Sequence, residues 1–89
     1  MKVVKIGAMW CPSCIVTNKF WHDIVEKYSN IEFEELDIDL DEEETNKYPS
    51  LDILPVIIVE KQGNEVKRLV GEHSKEEISK MIEEYSNEE

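Results

Sequence analysis

Val3-Val4-Lys5-Ile6-Gly7-Ala8-Met9-Trp10-Cys11-Pro12-Ser13-Cys14 is the stretch that decides how this chain is read. Val3–Met9 is a nearly continuous apolar run interrupted by Lys5 and opened by β-branched residues, the pattern of a central strand covered on both faces. From Pro12 the period changes. Ile15, Val16, Phe20, Trp21, Ile24, Val25 and Tyr28 recur at three- and four-residue steps, with Asn18, Lys19, Asp23, Glu26 and Lys27 between them, which predicts an amphipathic helix. Pro12 suits its first turn, where a missing N–H costs nothing, and Ser29-Asn30 supplies a stop. The two cysteines of the chain thus fall where a buried strand hands over to a helix.

Outward from there, Ile31–Leu40 alternates apolar and acidic residues as a second strand running into a loop, and Asp41–Tyr48 predicts a short helix limited by Pro49. Val56–Glu60 is compact and β-branched, Gln62-Gly63-Asn64 is turn chemistry, and Glu65–Val70 returns antiparallel as a hairpin partner. Ser74 followed by Glu77 is a capping box, opening a helix with an apolar face of Ile78, Met81, Ile82 and Tyr85. The order is β-α-β-(α)-β-β-α. Strands separated by helices must run parallel while the last two pair through their turn, so the expectation is an α/β fold with a four-stranded mixed sheet and helices on both faces. Residues 1–89 read as a single domain without repeat or linker, and Ser86–Glu89 as a frayed end.

Composition narrows the function. With 89 residues, 10 basic and 21 acidic, the formal charge is −11, and 40% of residues are hydrophobic. A chain of this size buries only about 60% of its unfolded surface, which leaves room for one core. The acidic balance, with Arg68 as its one arginine, argues against nucleic acid, whose affinity comes largely from basic side chains displacing counterions. No apolar stretch approaches the roughly 18 to 20 residues of a spanning helix, and Ile6–Cys11 is too short for a signal-peptide core, so a cytoplasmic protein without membrane partner is expected.

Cys11 and Cys14 enclose two residues, so a disulfide between them would constrain little of the unfolded chain; the pair reads as chemical. At the head of a helix, orphan N–H groups and the dipole favour an anion on the first sulfur. Cys11 is therefore the expected nucleophile, accessible and ionised near neutrality, because a thiolate attacks a disulfide and such sites lower the thiol pKa from about 8.5 to roughly 3.5–7.5. Cys14, one turn inward, is the expected resolving cysteine. Pro12 stiffens the turn and Ser13 offers a hydroxyl. Trp10 reads equally as a flat contact surface over the pair or as a partly exposed hydrophobe.

Trp10-Cys11-Pro12-Ser13-Cys14 after a hydrophobic strand, Leu54-Pro55 before the strand Val56–Val59, and Val70-Gly71 followed by Ser74-Lys75 resemble the thioredoxin superfamily over nearly the whole chain. The resemblance implies a thioredoxin-like fold in which Pro55 is cis and lies against the cysteines, where composition alone assigns it as a strand-start proline. It also implies a substrate groove of Trp10, Pro12, Leu54, Pro55 and Gly71, disulfide-containing protein substrates, a thioredoxin-reductase-like electron donor, and no cofactor beyond a Cys11–Cys14 disulfide in a monomer. The chain is nearer the minimal, glutaredoxin-sized version. Its Pro-Ser dipeptide matches neither thioredoxin's Gly-Pro nor glutaredoxin's Pro-Tyr. Ile53-Leu54-Pro55 and Val70-Gly71-Glu72 stand where glutaredoxins place their glutathione-binding residues, without those residues. Six residues before the first active-site cysteine, where thioredoxins carry a buried Asp, this chain has Lys5. Glu35 aligns with the lysine that partners that Asp, so the pair is charge-reversed, and the expectation is an ion pair beneath Cys14 that assists its deprotonation.

Other signals compete. Met9, Cys11 and Cys14 also fit the MxCxxC spacing of copper carriers, although Trp10, Pro12 and Leu54-Pro55 would be unneeded there. A non-catalytic adaptor using the same groove is the other alternative. His22 and His73 read as surface and loop residues rather than zinc ligands. Asp37-x-Asp39-x-Asp41 fails as a calcium loop because Glu42 and Tyr48 stand where Gly and Glu are needed, so Asp37–Glu44 reads as a solvated acidic face. Phe20, Trp21 and Tyr28 read as core.

Overall fold

The computed structural model describes residues 1–87. The elements are β1 (Lys2–Gly7), α1 (Pro12–Lys27), β2 (Glu32–Asp37), α2 (Glu42–Thr45), β3 (Val56–Lys61), β4 (Asn64–Val70) and α3 (Lys75–Ser86). They form one four-stranded sheet in the order β2-β1-β3-β4, with β1 parallel to β2 and antiparallel to β3, and β3 antiparallel to β4. The expected mixed sheet is present.

Alternation along the strands sends successive side chains to opposite faces. Val3, Ile57 and Val59 join Trp21, Ile24 and Tyr28 of α1 and Ile78, Met81 and Ile82 of α3 in one core, whereas Val4, Ile6, Leu36, Val56 and Ile58 make the other. Both long helices therefore lie on the same face. The opposite face is covered by the segment that contains α2, through Ile38, Tyr48, Leu51 and Leu54.

The buried stripe of α1 is Cys14, Thr17, Trp21 and Ile24, at steps of three and four. Ile15 and Val16, expected on that stripe, are exposed instead. Ile15 is offset from Cys14 by about 100° and Val16 by about 200°, and the registration of the helix is set by the larger Trp21 and Ile24. The second strand is shorter than expected because the chain turns after Asp37, whose carboxylate accepts from the N–H groups of Asp39 (2.8 Å) and Leu40 (3.1 Å). Asp41 returns a carboxylate oxygen to the Asp37 N–H at 2.9 Å. Asp37 and Asp41 are thus turn-forming residues rather than members of a freely solvated face.

Gln62 and Gly63 both have positive φ, the two-residue turn that matches strand twist, so Asn64 belongs to β4 and not to the turn. Ser74 and Glu77 form the expected capping box. Ser86 closes α3 rather than fraying, and residues 88–89 of the expected loose end lie outside the described residues. No described helix is long and apolar enough to cross a membrane.

Candidate active site

The site forms where β1 ends and α1 begins. Cys11 is the N-cap of α1: its Sγ accepts a hydrogen bond from the Cys14 backbone N–H at 3.2 Å, and Pro12 occupies the following position, where no N–H is needed. Both cysteines are free thiols. Cys11 is 5% exposed and Cys14 4%, packed with Ala8 and against Ile38 and Leu54. The sequence led to an accessible Cys11; the loop after β2 and the residue before Pro55 close over it more tightly than the local motif reveals. Burial pushes the Cys14 thiol up to about 11, reinforced by a hydrogen bond with Cys11, while the Ala8 backbone and the Lys5 charge act in the opposite direction.

Gly7 ends β1 directly beneath this pair. A Cβ placed there would lie 3.0 Å from Cys14 Sγ, so the strand can pass the sulfur only because it carries no side chain at that point.

Leu54-Pro55 is a cis peptide bond, and Pro55 lines the same cavity as Cys14. The Pro55 carbonyl accepts from the Gly71 N–H at 2.8 Å, and Gly71 has φ +86° with the Ile53 side chain 3.6 Å from where a Cβ would stand. Leu54, Pro55 and Gly71 are therefore brought together at the cysteine end of the sheet. Trp10, next to Cys11 in the chain, is 65% exposed, its indole N–H donating to Asp39 at 2.8 Å. Met9, Trp10, Ile53 and Val70, on the segments that carry the cysteines, the cis bond and Gly71, are exposed apolar residues.

Lys5 and Glu35 are also brought together, and the register explains why. They are aligned partners on the parallel strands β1 and β2, facing α1 with Val3 and Phe33. Lys5 Nζ lies 2.8 Å from Glu35 Oε1; the lysine side chain is 7% exposed and the glutamate 61%. The pair is one-sided, a buried cation meeting a surface carboxylate. The ammonium also donates to the Asn18 side-chain oxygen and stands 5.2 Å from the centroid of Trp21, whose ring meets Phe33 edge-on at 5.9 Å.

Sequence reading missed Gly7, Asn18 and Asp39. A glycine closing a buried strand is a signal of close approach, and Asn18 lies four residues after Cys14 on the same helix face. Nothing local marks Asp39 as the partner of Trp10.

The thioredoxin family model matches residues 1–84. The chain belongs to the thioredoxin family. It is 32% identical to mouse thioredoxin over 84 residues, covering 94% of this chain and 78% of that protein. To Thioredoxin H2 of Arabidopsis thaliana it is 28% identical over 80 residues, 90% of this chain and 59% of that protein. Among solved structures, Plasmodium falciparum thioredoxin superposes with a TM-score of 0.84 at 27% identity, covering 94% of this chain and 80% of that one. With its paired cysteines, the chain is a thiol–disulfide oxidoreductase. The metal-carrier and adaptor readings are not favoured by these relatives. Thioredoxins work with no cofactor beyond the active-site disulfide, and no group of three or more His, Cys, Asp or Glu among the described residues is placed to hold a metal.

Proposed function

We propose that this chain reduces disulfides of protein substrates, with Cys11 as nucleophile and Cys14 as resolving thiol. The observation that carries the assignment is the Cys11 sulfur acting as N-cap acceptor at the positive end of α1, where a thiolate is favoured. Cys11 thiolate attacks one sulfur of the substrate disulfide, forming a mixed disulfide and releasing the other substrate sulfur as a thiolate that takes up a proton. Cys14 then gives up its proton and attacks Cys11 Sγ. The second substrate thiolate leaves, and the two electrons gained by the substrate are matched by the Cys11–Cys14 disulfide formed.

Lys5 favours the Cys14 thiolate through its charge, and Glu35, at the surface end of the ion pair, or a water takes the proton. Substrate docks as an extended segment along Trp10, Pro12, Leu54, Pro55 and Gly71, an apolar rim beside the buried sulfurs. Thioredoxins act on disulfide substrates and with reductases, as in the complex of ferredoxin:thioredoxin reductase with thioredoxin f2. A thioredoxin-reductase-like donor returning the electrons to a monomer in the cytoplasm suits this chain, whose acidic surface disfavours nucleic acid.

A disulfide-reduction assay driven by dithiothreitol or a thioredoxin reductase tests the activity. Turnover that vanishes on Cys11→Ser is the expected result. Equal alkylation rates at pH 7 for Cys11 and a free peptide thiol would remove the basis for the nucleophile assignment. Superimposable pH profiles for the parent, Lys5→Met and Glu35→Gln would remove the ion pair from the mechanism.

A further inference from the structure

Asn18 stands one turn beyond Cys14 on α1, so both side chains overlook the same part of β1 and β2. Its side-chain oxygen accepts a hydrogen bond from Lys5 Nζ. That bond joins a buried ammonium to an exposed position on a rigid helix. The other polar partner of Lys5, Glu35, is mostly in water, and a carboxylate there draws a flexible four-carbon side chain outward rather than holding it inward.

Two cavities meet at this point. One of about 160 Å³ borders Lys5, Gly7, Cys14, Asn18, Glu35 and Pro55; the second, of about 220 Å³, is lined by Asn18, Trp21, His22, Val25 and Glu35. Asn18 and Glu35 border both, so the two polar partners of the Lys5 ammonium stand between the space beside the resolving sulfur and the outer groove.

We propose that Asn18 is a positioning residue for the resolving step, holding the Lys5 ammonium beside Cys14 against the outward pull of Glu35. The proposal rests on Cys14 being the resolving thiol. The groups facing Lys5 and Cys14 are Glu35 and Asp37 from β2 and Cys11, Asn18 and Trp21 from the α1 side, while β3 presents Ile57 beside Lys5. Within this set the charge that lowers the proton affinity of Cys14 is that of Lys5. Burial has the larger effect on Cys14, and the distance of the ammonium from the sulfur adjusts how readily the thiol ionises once Cys11 is engaged.

The test uses Asn18→Ala, an exposed helix position at which alanine is the better helix former, with a thermal melt to confirm folding. Cys14 is titrated in a Cys11→Ser background by thiolate absorbance, and substrate release from the mixed disulfide is timed at pH 7. The expected result is a midpoint raised by about one pH unit and release slowed about tenfold. In a Lys5→Met background the same Asn18→Ala change should leave both unchanged, because the interaction it removes is already gone. An unshifted midpoint in the single variant, or an equal shift with and without Lys5, would overturn the positioning role while leaving the cysteine assignments standing. Release at the parent rate from Cys14→Ser would instead overturn the resolving assignment itself.

Discussion

The two long helices begin differently. At α3, Ser74 Oγ accepts from the Glu77 N–H and the Glu77 carboxylate accepts from the Ser74 N–H, both at 3.1 Å, and Glu76 adds a second acid to the first turn. At α1, the sulfur of Cys11 takes the N-cap role, Pro12 follows, and the first turn has no acid. Both ends satisfy backbone N–H groups that a helix leaves without partners. At α3 the negative charge favoured by the dipole is permanent, whereas at α1 the acceptor is a sulfur that, in the proposed reaction, is charged only while it attacks. Capping chemistry that stabilises one helix is thereby turned into reactivity at the other.

The largest effect should come from replacing the sulfur with the oxygen that α3 uses. Cys11→Ser keeps a competent cap, so melting should change little, while turnover falls by roughly three orders of magnitude or more in the disulfide-reduction assay. Cys14→Ser keeps the nucleophile but should trap substrate covalently on Cys11, visible as an adduct by mass spectrometry under non-reducing conditions. An adduct-free Cys14→Ser protein with normal turnover would break the contrast between the two sulfurs.

The buried thiol also gives the reduced protein a pH dependence. Folding raises the proton affinity of Cys14 from an ordinary value of 9.0 to about 11, so the folded state binds the proton more tightly than the unfolded chain. That contribution is complete below about pH 9 and is lost as pH rises toward 11. Denaturant melts of the dithiol form should show this alkaline loss, and in Cys14→Ser it should be smaller, with the part due to Tyr28, Lys2 and Lys27 remaining.

A smaller effect is expected from making α1 more like α3. Ser13→Glu places an acid in the first turn, and Cys11 alkylation at pH 7 should slow about three- to tenfold, because a fixed charge competes with the thiolate for the dipole. Smallest for activity is Ser74→Ala. It should lower stability by about 1 kcal/mol in urea melts and leave disulfide reduction unchanged, since the α3 cap touches no reacting atom.

Much of the fold and of the site was legible in the sequence because these parts obey short-range rules. The sulfur pair, the helix-start proline, the Ser74–Glu77 box and the Gln62-Gly63 turn are each decided within a few residues. The cis state of Pro55 came through family resemblance, since local composition offered only a strand-start proline. The meeting of Lys5 and Glu35 followed from aligning two strands, and the register that joins them lies outside any one window of sequence. What stayed hidden depends on how elements pack. The burial of Cys11 is set by Ile38 and Leu54, each more than twenty residues away, and the exposure of Ile15 and Val16 by the rotation of α1 on the sheet. The acidic run was misjudged at Asp37 and Asp41 because a charge count does not show which carboxylates fold back onto main-chain N–H groups.

Gly7 bears on how the enzyme moves as well as on how it is built. In each catalytic round Cys14 Sγ must swing to within bonding range of Cys11, about 2.05 Å, and back again. It starts that stroke against a stretch of strand where only a hydrogen atom projects, and an added methyl would crowd it at 3.0 Å. Alanine at this position would wedge the sulfur out of its resting place, making the smallest residue in the strand the one that sets the free play of the moving part.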